Sequence, residues 1–200
     1  MKHTHTLADN KPLGHEITFM KITIALLSIL MVSAFARAGE LRVSATEPIF
    51  VVAPDFWQSA KDRPPVGSFP FETYRLVPPL ERNAQCLVSI FDKNRPEFAD
   101  AQFLKKLLRG DFLPYVNSPD DLSKIEIKEM KIKGGLAYYA NFVDPDLVGK
   151  PVEKGGFKTA TPVILSLRTN YLIKVTIFCD QINGPDYQDS TKILESIKTR

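Results

Sequence analysis

Two aspartates, one on each side of a proline, form the pattern in the sequence that comes nearest to a metal site. Asp144-Pro145-Asp146 places two carboxylates on one turn, with Gly149 shortly after them. A hard cation such as calcium prefers oxygen ligands, but it needs about six of them or more. The competing interpretation is a solvated turn in which an aspartate side chain bonds the backbone. Because only two carboxylates are close in sequence, we favour the turn and assign no metal and no cofactor.

Residues 39–200 contain no histidine, which removes a large class of catalytic chemistry. The three histidines of the chain all precede that segment, at His3, His5 and His15. Ser–His and Cys–His catalysis and histidine–zinc sites therefore have no ligand or base there. Three aspartates surround the start of the last predicted helix, where the helix dipole and capping account for acids: Asp180, Asp186 and Asp189. We predict that the chain is not an enzyme, and keep a carboxylate-based hydrolase, with or without calcium, as the alternative.

Cys86 and Cys179 are the two cysteines of the chain. In an oxidising compartment they could form a disulfide. The alternative is two buried thiols that behave as small hydrophobic side chains. Spacing in the sequence does not show whether the two Cα atoms come within about 7 Å, so both interpretations stay open.

Three aromatic residues are candidates for a recognition surface: Trp57, Tyr138 and Tyr139. Tyr138 and Tyr139 are adjacent on a predicted strand, so their side chains point to opposite faces of the sheet. The alternative, which we favour, is that helices cover both tyrosines.

Hydrophobic periodicity predicts one α+β domain over residues 39–200. Apolar runs and alternation predict strands at 49–52, 74–77, 84–92, 124–132, 136–143, 163–167 and 171–179. Apolar stripes at helical spacing predict helices at 100–109 and from 185 onward, and a helical turn after Asp55. Gly134-Gly135 predicts a hairpin turn. This order predicts a single, mostly antiparallel sheet that is covered by helices.

Three features of this layout resemble the Mog/PsbP-like fold and, within it, the small exported DcrB-like bacterial proteins. They are the opening Pro54-Asp55-Phe56-Trp57, the strand series over 135–143 and 162–179, and the closing Ile193-Leu194-Glu195-Ser196-Ile197-Lys198. The resemblance spans nearly all of residues 39–200. It implies binding or assembly roles more often than catalysis, and exported proteins of this kind include immunity proteins that neutralise secreted toxins.

Residues 20–38 predict a cleavable secretory signal. Met20-Lys21 gives a positive start, and 22–35 is almost wholly apolar. Ala34-Phe35-Ala36 and Ala36-Arg37-Ala38 both have the small-x-small pattern of a cleavage site, and we place the end of the signal at Ala38. The apolar run of about 14 residues is shorter than the ~20 that span a bilayer. A retained membrane anchor is the alternative. Residues 1–19 are predicted to be a non-structural extension, with translation starting at Met20 or with an extended positive region before the signal.

The charge of the predicted mature domain excludes several kinds of partner. Removing residues 1–38 takes away four of the 26 basic and two of the 23 acidic residues, which leaves a net charge near +1. Such a balance argues against nucleic-acid binding and against a polybasic membrane patch. We predict a periplasmic or secreted protein, without a stable membrane anchor after signal cleavage, that binds another protein. An immunity-type inhibitor of a secreted toxin and an envelope maintenance factor are both compatible with this, and the oligomeric state is open.

Overall fold

The computed structural model of the chain describes residues 36–37, 39–43, 49–54, 56–62, 72–91, 95–113, 116, 119–167 and 171–199. These residues belong to one unit, Ala36–Arg200. Several predictions lie outside the described residues: the signal up to residue 35, the three histidines, the cap at Asp55 and the turn at 168–170.

Strands are the commonest regular secondary structure among the described residues. The strands are β1 Ala36–Arg37, β2 Glu40–Arg42, β3 Ile49–Val52, β4 Gln58–Asp62, β5 Glu72–Val77, β6 Ala84–Phe91, β7 Lys128–Met130, β8 Gly135–Tyr139, β9 Phe142–Val143, β10 Thr159–Leu167, β11 Tyr171–Cys179 and β12 Lys198–Thr199. The helices are α1 Ala101–Gly110 and α2 Pro185–Glu195, with 3₁₀ turns at Pro96–Ala99, Pro119–Lys124 and Pro145–Leu147.

The strands form two antiparallel sheets. The main sheet has the order β1-β4-β5-β6-β11-β10-β8-β7, with β9 also pairing with β10, and the second sheet has the order β12-β3-β2. The α+β class is confirmed, but the prediction of a single sheet is wrong. The chain passes from the second sheet into the main sheet between β3 and β4, where a turn is closed by Trp57 N donating to Pro54 O at 2.8 Å. Trp57 is fully buried, and the chain leaves this turn as a strand of the other sheet.

A hydrophobic core lies on each face of the main sheet. Alternate residues of β11 divide between them, because successive side chains of a strand point to opposite faces. Ile173 and Val175 belong to the larger core, to which α2 and the second sheet contribute. Leu172 belongs to the smaller core, where Leu104 and Leu108 of α1 are fully buried. Burial of each such side chain stabilises the fold by roughly 1.5–3 kcal/mol.

Helix α1 confirms the helix predicted at 100–109. Asp100 caps its start, since Asp100 Oδ1 accepts hydrogen bonds from Gln102 N at 2.6 Å and from Phe103 N at 3.2 Å. The helix extends to Gly110 and packs against β8 and β10.

Other elements differ from prediction because strand pairing outweighs local pattern. The helical turn predicted over Phe56, Trp57 and Ala60 is wrong from Gln58 onward, because Gln58–Asp62 forms strand β4, which pairs with β5. Of the strand predicted at 124–132, only Lys128–Met130 pairs with a neighbour. Gly134 has φ +79° in the turn between β7 and β8, which confirms the predicted hairpin.

Candidate protein-interaction surface

Asp144 and Asp146 do not form a metal site with other side chains of the described chain. Asp144 caps the 3₁₀ turn Pro145–Leu147, because its Oδ1 accepts a hydrogen bond from Asp146 N at 2.9 Å. Asp146 is exposed. Across the residues that the structure describes, no group of three or more His, Cys, Asp or Glu side chains could hold a metal ion.

Cys86 and Cys179 are free, buried thiols, so the disulfide interpretation is not supported. The reason is their register: Cys86 lies opposite Ile177, and Cys179 lies opposite Ala84. The cysteines are thus diagonal neighbours on β6 and β11. Diagonal Cα atoms are about 7–8 Å apart, beyond the roughly 4.4–6.8 Å that a disulfide spans. Complete burial raises the pKa of Cys86 to about 12.

Of the three aromatic residues predicted as a recognition surface, two are inaccessible. Trp57 is fully buried in the larger core and Tyr138 is 3% exposed in the smaller one. Tyr139 is half-buried and packs against the larger core, so the two tyrosines do point to opposite faces. The ring of Tyr138 lies 4.8 Å from Lys105 Nζ of α1, which agrees with a helix covering it.

An accessible apolar surface instead lies where three connections meet. These are the turn before β4, the loop between β5 and β6, and the start of α2. Phe56 is 48% exposed in the first and Leu80 is 78% exposed in the second. We call this surface the Phe56–Leu80 corner and define it by four residues: Phe56, Leu80, Glu81 and Arg82.

Arg82 holds the corner together. Arg82 Nε donates to Asp186 Oδ1, and Arg82 Nη1 lies 2.9 Å from Asp189 Oδ2, both on α2. The guanidinium carbon is 5.7 Å from the centre of the Phe56 ring, a favourable cation–π distance. One side chain thus connects the loop after β5, the turn before β4 and the terminal helix.

The charges of this cluster reinforce one another. Burial by itself lowers the pKa of Arg82, but its hydrogen bonds and attraction to Asp186 and Asp189 outweigh that and raise the pKa. Burial likewise raises the pKa of Asp189, yet the hydrogen bonds and charges of Lys192 and Arg82 place it below its ordinary value. Both groups are therefore charged at neutral pH, and the ion pair is maintained.

Asn83 fixes the same loop from the other side. Its amide Nδ2 donates to Gly156 O at 2.7 Å and to the carboxylate of Asp180 at 3.1 Å. Gly155 N donates to Asn83 Oδ1 at 3.3 Å. The turn itself is closed by Arg82 N donating to Pro79 O at 3.0 Å. Leu80 and Glu81 form the tip of this turn. Leu80 is therefore exposed on a turn whose backbone is held by the contacts of Arg82 and Asn83.

The acids near this surface are recognisable in the sequence, but their partners are not. Asp180, Asp186 and Asp189 were explained by the start of α2, and the structure adds Asn83 and Arg82 as their partners. The available signal is an apolar residue in a proline-bounded loop, Pro78-Pro79-Leu80-Glu81-Arg82.

Within the described ranges, neither α1 nor α2 is long and apolar enough to cross a bilayer.

Comparison with solved structures supports the predicted fold. The chain resembles the solution structure of cyanobacterial PsbP (CyanoP) from Synechocystis sp. PCC 6803, with a TM-score of 0.52 and 17% sequence identity over 82% of this chain and 95% of that chain. The PsbP-like fold is thereby confirmed, and at this identity the likeness concerns the fold alone. The similarity to DcrB-like proteins stays a prediction. No protein-family model and no curated protein matches the chain.

Proposed function

We propose that the chain is an exported, non-catalytic protein that binds another protein through the Phe56–Leu80 corner. The observation that carries this proposal is the exposure of Phe56 and Leu80 on turns that Arg82 fixes to α2. Binding energy at protein interfaces is concentrated in a few aromatic and arginine anchors. Anchors that are already held in place lose less conformational entropy when a partner binds.

The charges around the corner indicate the chemistry of the partner. Four carboxylates lie on or next to it: Glu81, Asp180, Asp186 and Asp189. Arg82 and Lys192 balance two of them. An apolar tip with surplus negative charge is complementary to a protein surface that has an apolar depression and a basic rim.

The hydrolase alternative has less support from the same residues. Asp144 is engaged as a cap, and Asp189 is held by Lys192 and Arg82, with a pKa below its ordinary value. A general acid needs a raised pKa rather than a lowered one. We therefore do not assign Asp144 or Asp189 the role of a general acid.

We also propose a location and two possible biological roles for the protein. The periplasmic or secreted location rests on the signal predicted at 20–38. An immunity-type inhibitor of a secreted toxin and an envelope maintenance factor would both use such a surface. The identity of the partner separates them, since an immunity protein captures a toxin and a maintenance factor captures resident envelope proteins.

Affinity capture with surface variants tests this proposal. The full chain is expressed in the producing organism, and captured proteins are quantified by mass spectrometry for the wild type, Leu80→Asp and the matched control Val148→Asp. Val148 is 63% exposed in a different loop. We expect one partner to be retained by the control and reduced at least about tenfold by Leu80→Asp. Equal recovery with all three proteins contradicts binding at the corner.

A further inference from the structure

The outer edge of β4 is occupied by a segment that export would remove. Strand β1, Ala36–Arg37, pairs antiparallel with β4, with Ala36 opposite Ser59 and Arg37 opposite Gln58. Both residues of β1 lie inside the predicted signal, which ends at Ala38. Gly39 then leads into β2, which belongs to the second sheet. Cleavage after Ala38 would therefore leave β2 in place and remove β1.

We infer that the edge of β4, once β1 has been cleaved off, binds an extended strand of a partner polypeptide by backbone pairing. This inference rests on the export that is part of the proposed function. An edge strand presents unpaired backbone groups that template an added strand. In the described part of the chain, only β1 occupies this side of β4, and it covers Gln58 and Ser59 but not the following three residues.

The charged side chains of β4 form ion pairs with its inner neighbour, β5. Lys61 Nζ lies 2.9 Å from Glu72 Oε1, and Arg75 Nη2 lies 2.9 Å from Asp62 Oδ2. Each charge of β4 is thus neutralised by a residue of β5, on the inner side of the edge. Proteins discourage unwanted strand addition with charged side chains on edge strands, and on β4 both charges are held by partners on β5.

The opposite edge of the main sheet provides a contrast. Strand β7 has only three residues, and two of them, Lys128 and Glu129, are exposed charges. Lys128 pairs loosely with Glu126 at 3.5 Å, where the acid is 79% exposed. A short, charged edge of this kind is a poor template for an added strand, so β4 is the edge to which we assign binding.

The register of β1 defines the partner strand. Ser59 is 6% exposed, and directly opposite residues bring their Cβ atoms to about 4.5–5.5 Å. The position opposite Ser59 therefore suits a small residue, as alanine is there now. The position opposite Gln58, which is exposed, accepts a long or charged residue. The partner segment is an antiparallel strand with a small residue followed by a polar or basic one.

Hydrogen exchange with a peptide probe tests the inference. The full chain is expressed, the processed protein is purified, and its N-terminus is determined by intact mass. Amide exchange over 58–62 is then measured with and without a peptide that has the sequence of residues 31–38. We expect an N-terminus at Gly39 and exchange at 58–62 that the peptide slows at least about threefold. The same peptide, N-methylated at alternate residues, should give no protection because it cannot pair.

Three results would overturn the inference. One is a processed protein whose exchange at 58–62 is unchanged by the peptide. Another is an N-terminus before Ala36, which keeps β1 and also removes support for export. The third is a dimer with 58–62 protected in the absence of peptide, which would assign the edge to a second copy. Leu80→Asp should leave peptide protection unchanged, so failure at the corner and failure at the β4 edge are distinguishable.

Discussion

Ser196 Oγ lies 2.8 Å from Val52 N, from which it accepts a hydrogen bond, although the two residues are separated by 144 positions. The same hydroxyl is 3.0 Å from Val52 O and 2.6 Å from Ile193 O, either of which can accept its proton. Just beyond, Lys198 of β12 pairs with Phe50 of β3. Ser196 therefore connects the end of α2 to the central strand of the second sheet.

Replacing Ser196 with alanine should weaken this connection. Ser196→Ala leaves Val52 N without its acceptor, which should lower the free energy of unfolding by about 1 kcal/mol, measured by urea denaturation. Ser123→Ala is the matched control, since that hydroxyl bonds only a nearby carbonyl in an exposed turn. The control should change stability by less than about 0.5 kcal/mol. Equal effects of the two substitutions would mean that the hydrogen bonds between Ser196 and β3 do not add to the free energy of unfolding.

Asp189 should contribute stability that disappears in acid. Its pKa in the folded protein is below its ordinary value of 3.8, so the contribution is complete above that value and is lost as pH falls through the folded pKa. Asp189→Asn should therefore be less stable than wild type at pH 7, by about 1 kcal/mol. The difference should shrink as the pH falls below 3.8 and vanish once the pH is below the folded pKa of Asp189. Urea denaturation at several pH values measures it.

Asp146→Asn is the control for this pH dependence. Asp146 is exposed, and its backbone amide, rather than its carboxylate, makes the hydrogen bond to Asp144. The free energy of unfolding of the Asp146→Asn variant should match that of wild type from pH 7 to pH 3. A difference between wild type and Asp189→Asn that stays constant down to pH 2 would show that the ion pair with Arg82 is not its source.

The two cysteines should be unreactive in the folded protein. The thiolate is the reactive form, and burial raises the pKa of both Cys86 and Cys179. We expect no labelling by a thiol reagent such as DTNB under native conditions and labelling of both thiols in urea. The unreduced protein should have the intact mass of two free thiols. A mass lower by two hydrogens would reveal a disulfide and refute the diagonal register of β6 and β11.

Asp144 should act as a cap without calcium. Asp144→Ala removes the acceptor for Asp146 N, which should lower the free energy of unfolding by about 1 kcal/mol. Millimolar calcium should not change the melting temperature of wild type or variant, because two carboxylates are too few for such an ion. A calcium-dependent rise in melting temperature that Asp144→Ala abolishes would restore the metal interpretation.

Much of the fold could be predicted because, in the longest strands and helices, the hydrophobic pattern of the sequence matches which side chains are buried. Strand β11 was predicted with the bounds that it has, since alternation from Tyr171 to Cys179 fits a strand in the middle of a sheet. The two-sheet arrangement could not be predicted. It depends on Trp57 being buried at the turn between β3 and β4, and the spacing of Phe56, Trp57 and Ala60 fits a helix equally well.

The candidate surface was less predictable than the fold. Its central contact joins Arg82 to Asp186 and Asp189, both more than 100 positions away in the sequence, and sequence spacing carries no information about such pairs. Of the three aromatic candidates, Trp57 and Tyr138 are buried because large aromatic side chains contribute most to cores, and for Tyr138 this is the alternative that we favour from sequence. Phe56, beside Trp57, is the exposed one.

Trp57 is the only tryptophan in the chain, and its fully buried indole Nε1 has no hydrogen-bond partner among the residues that the structure describes. Its fluorescence should therefore be blue-shifted in the native protein and should move to longer wavelength when the larger core opens. Since Phe56 is the neighbouring residue, the same emission can be followed while ligands are added. The protein thus contains its own optical reporter of folding, located one residue from the surface at which we propose it binds.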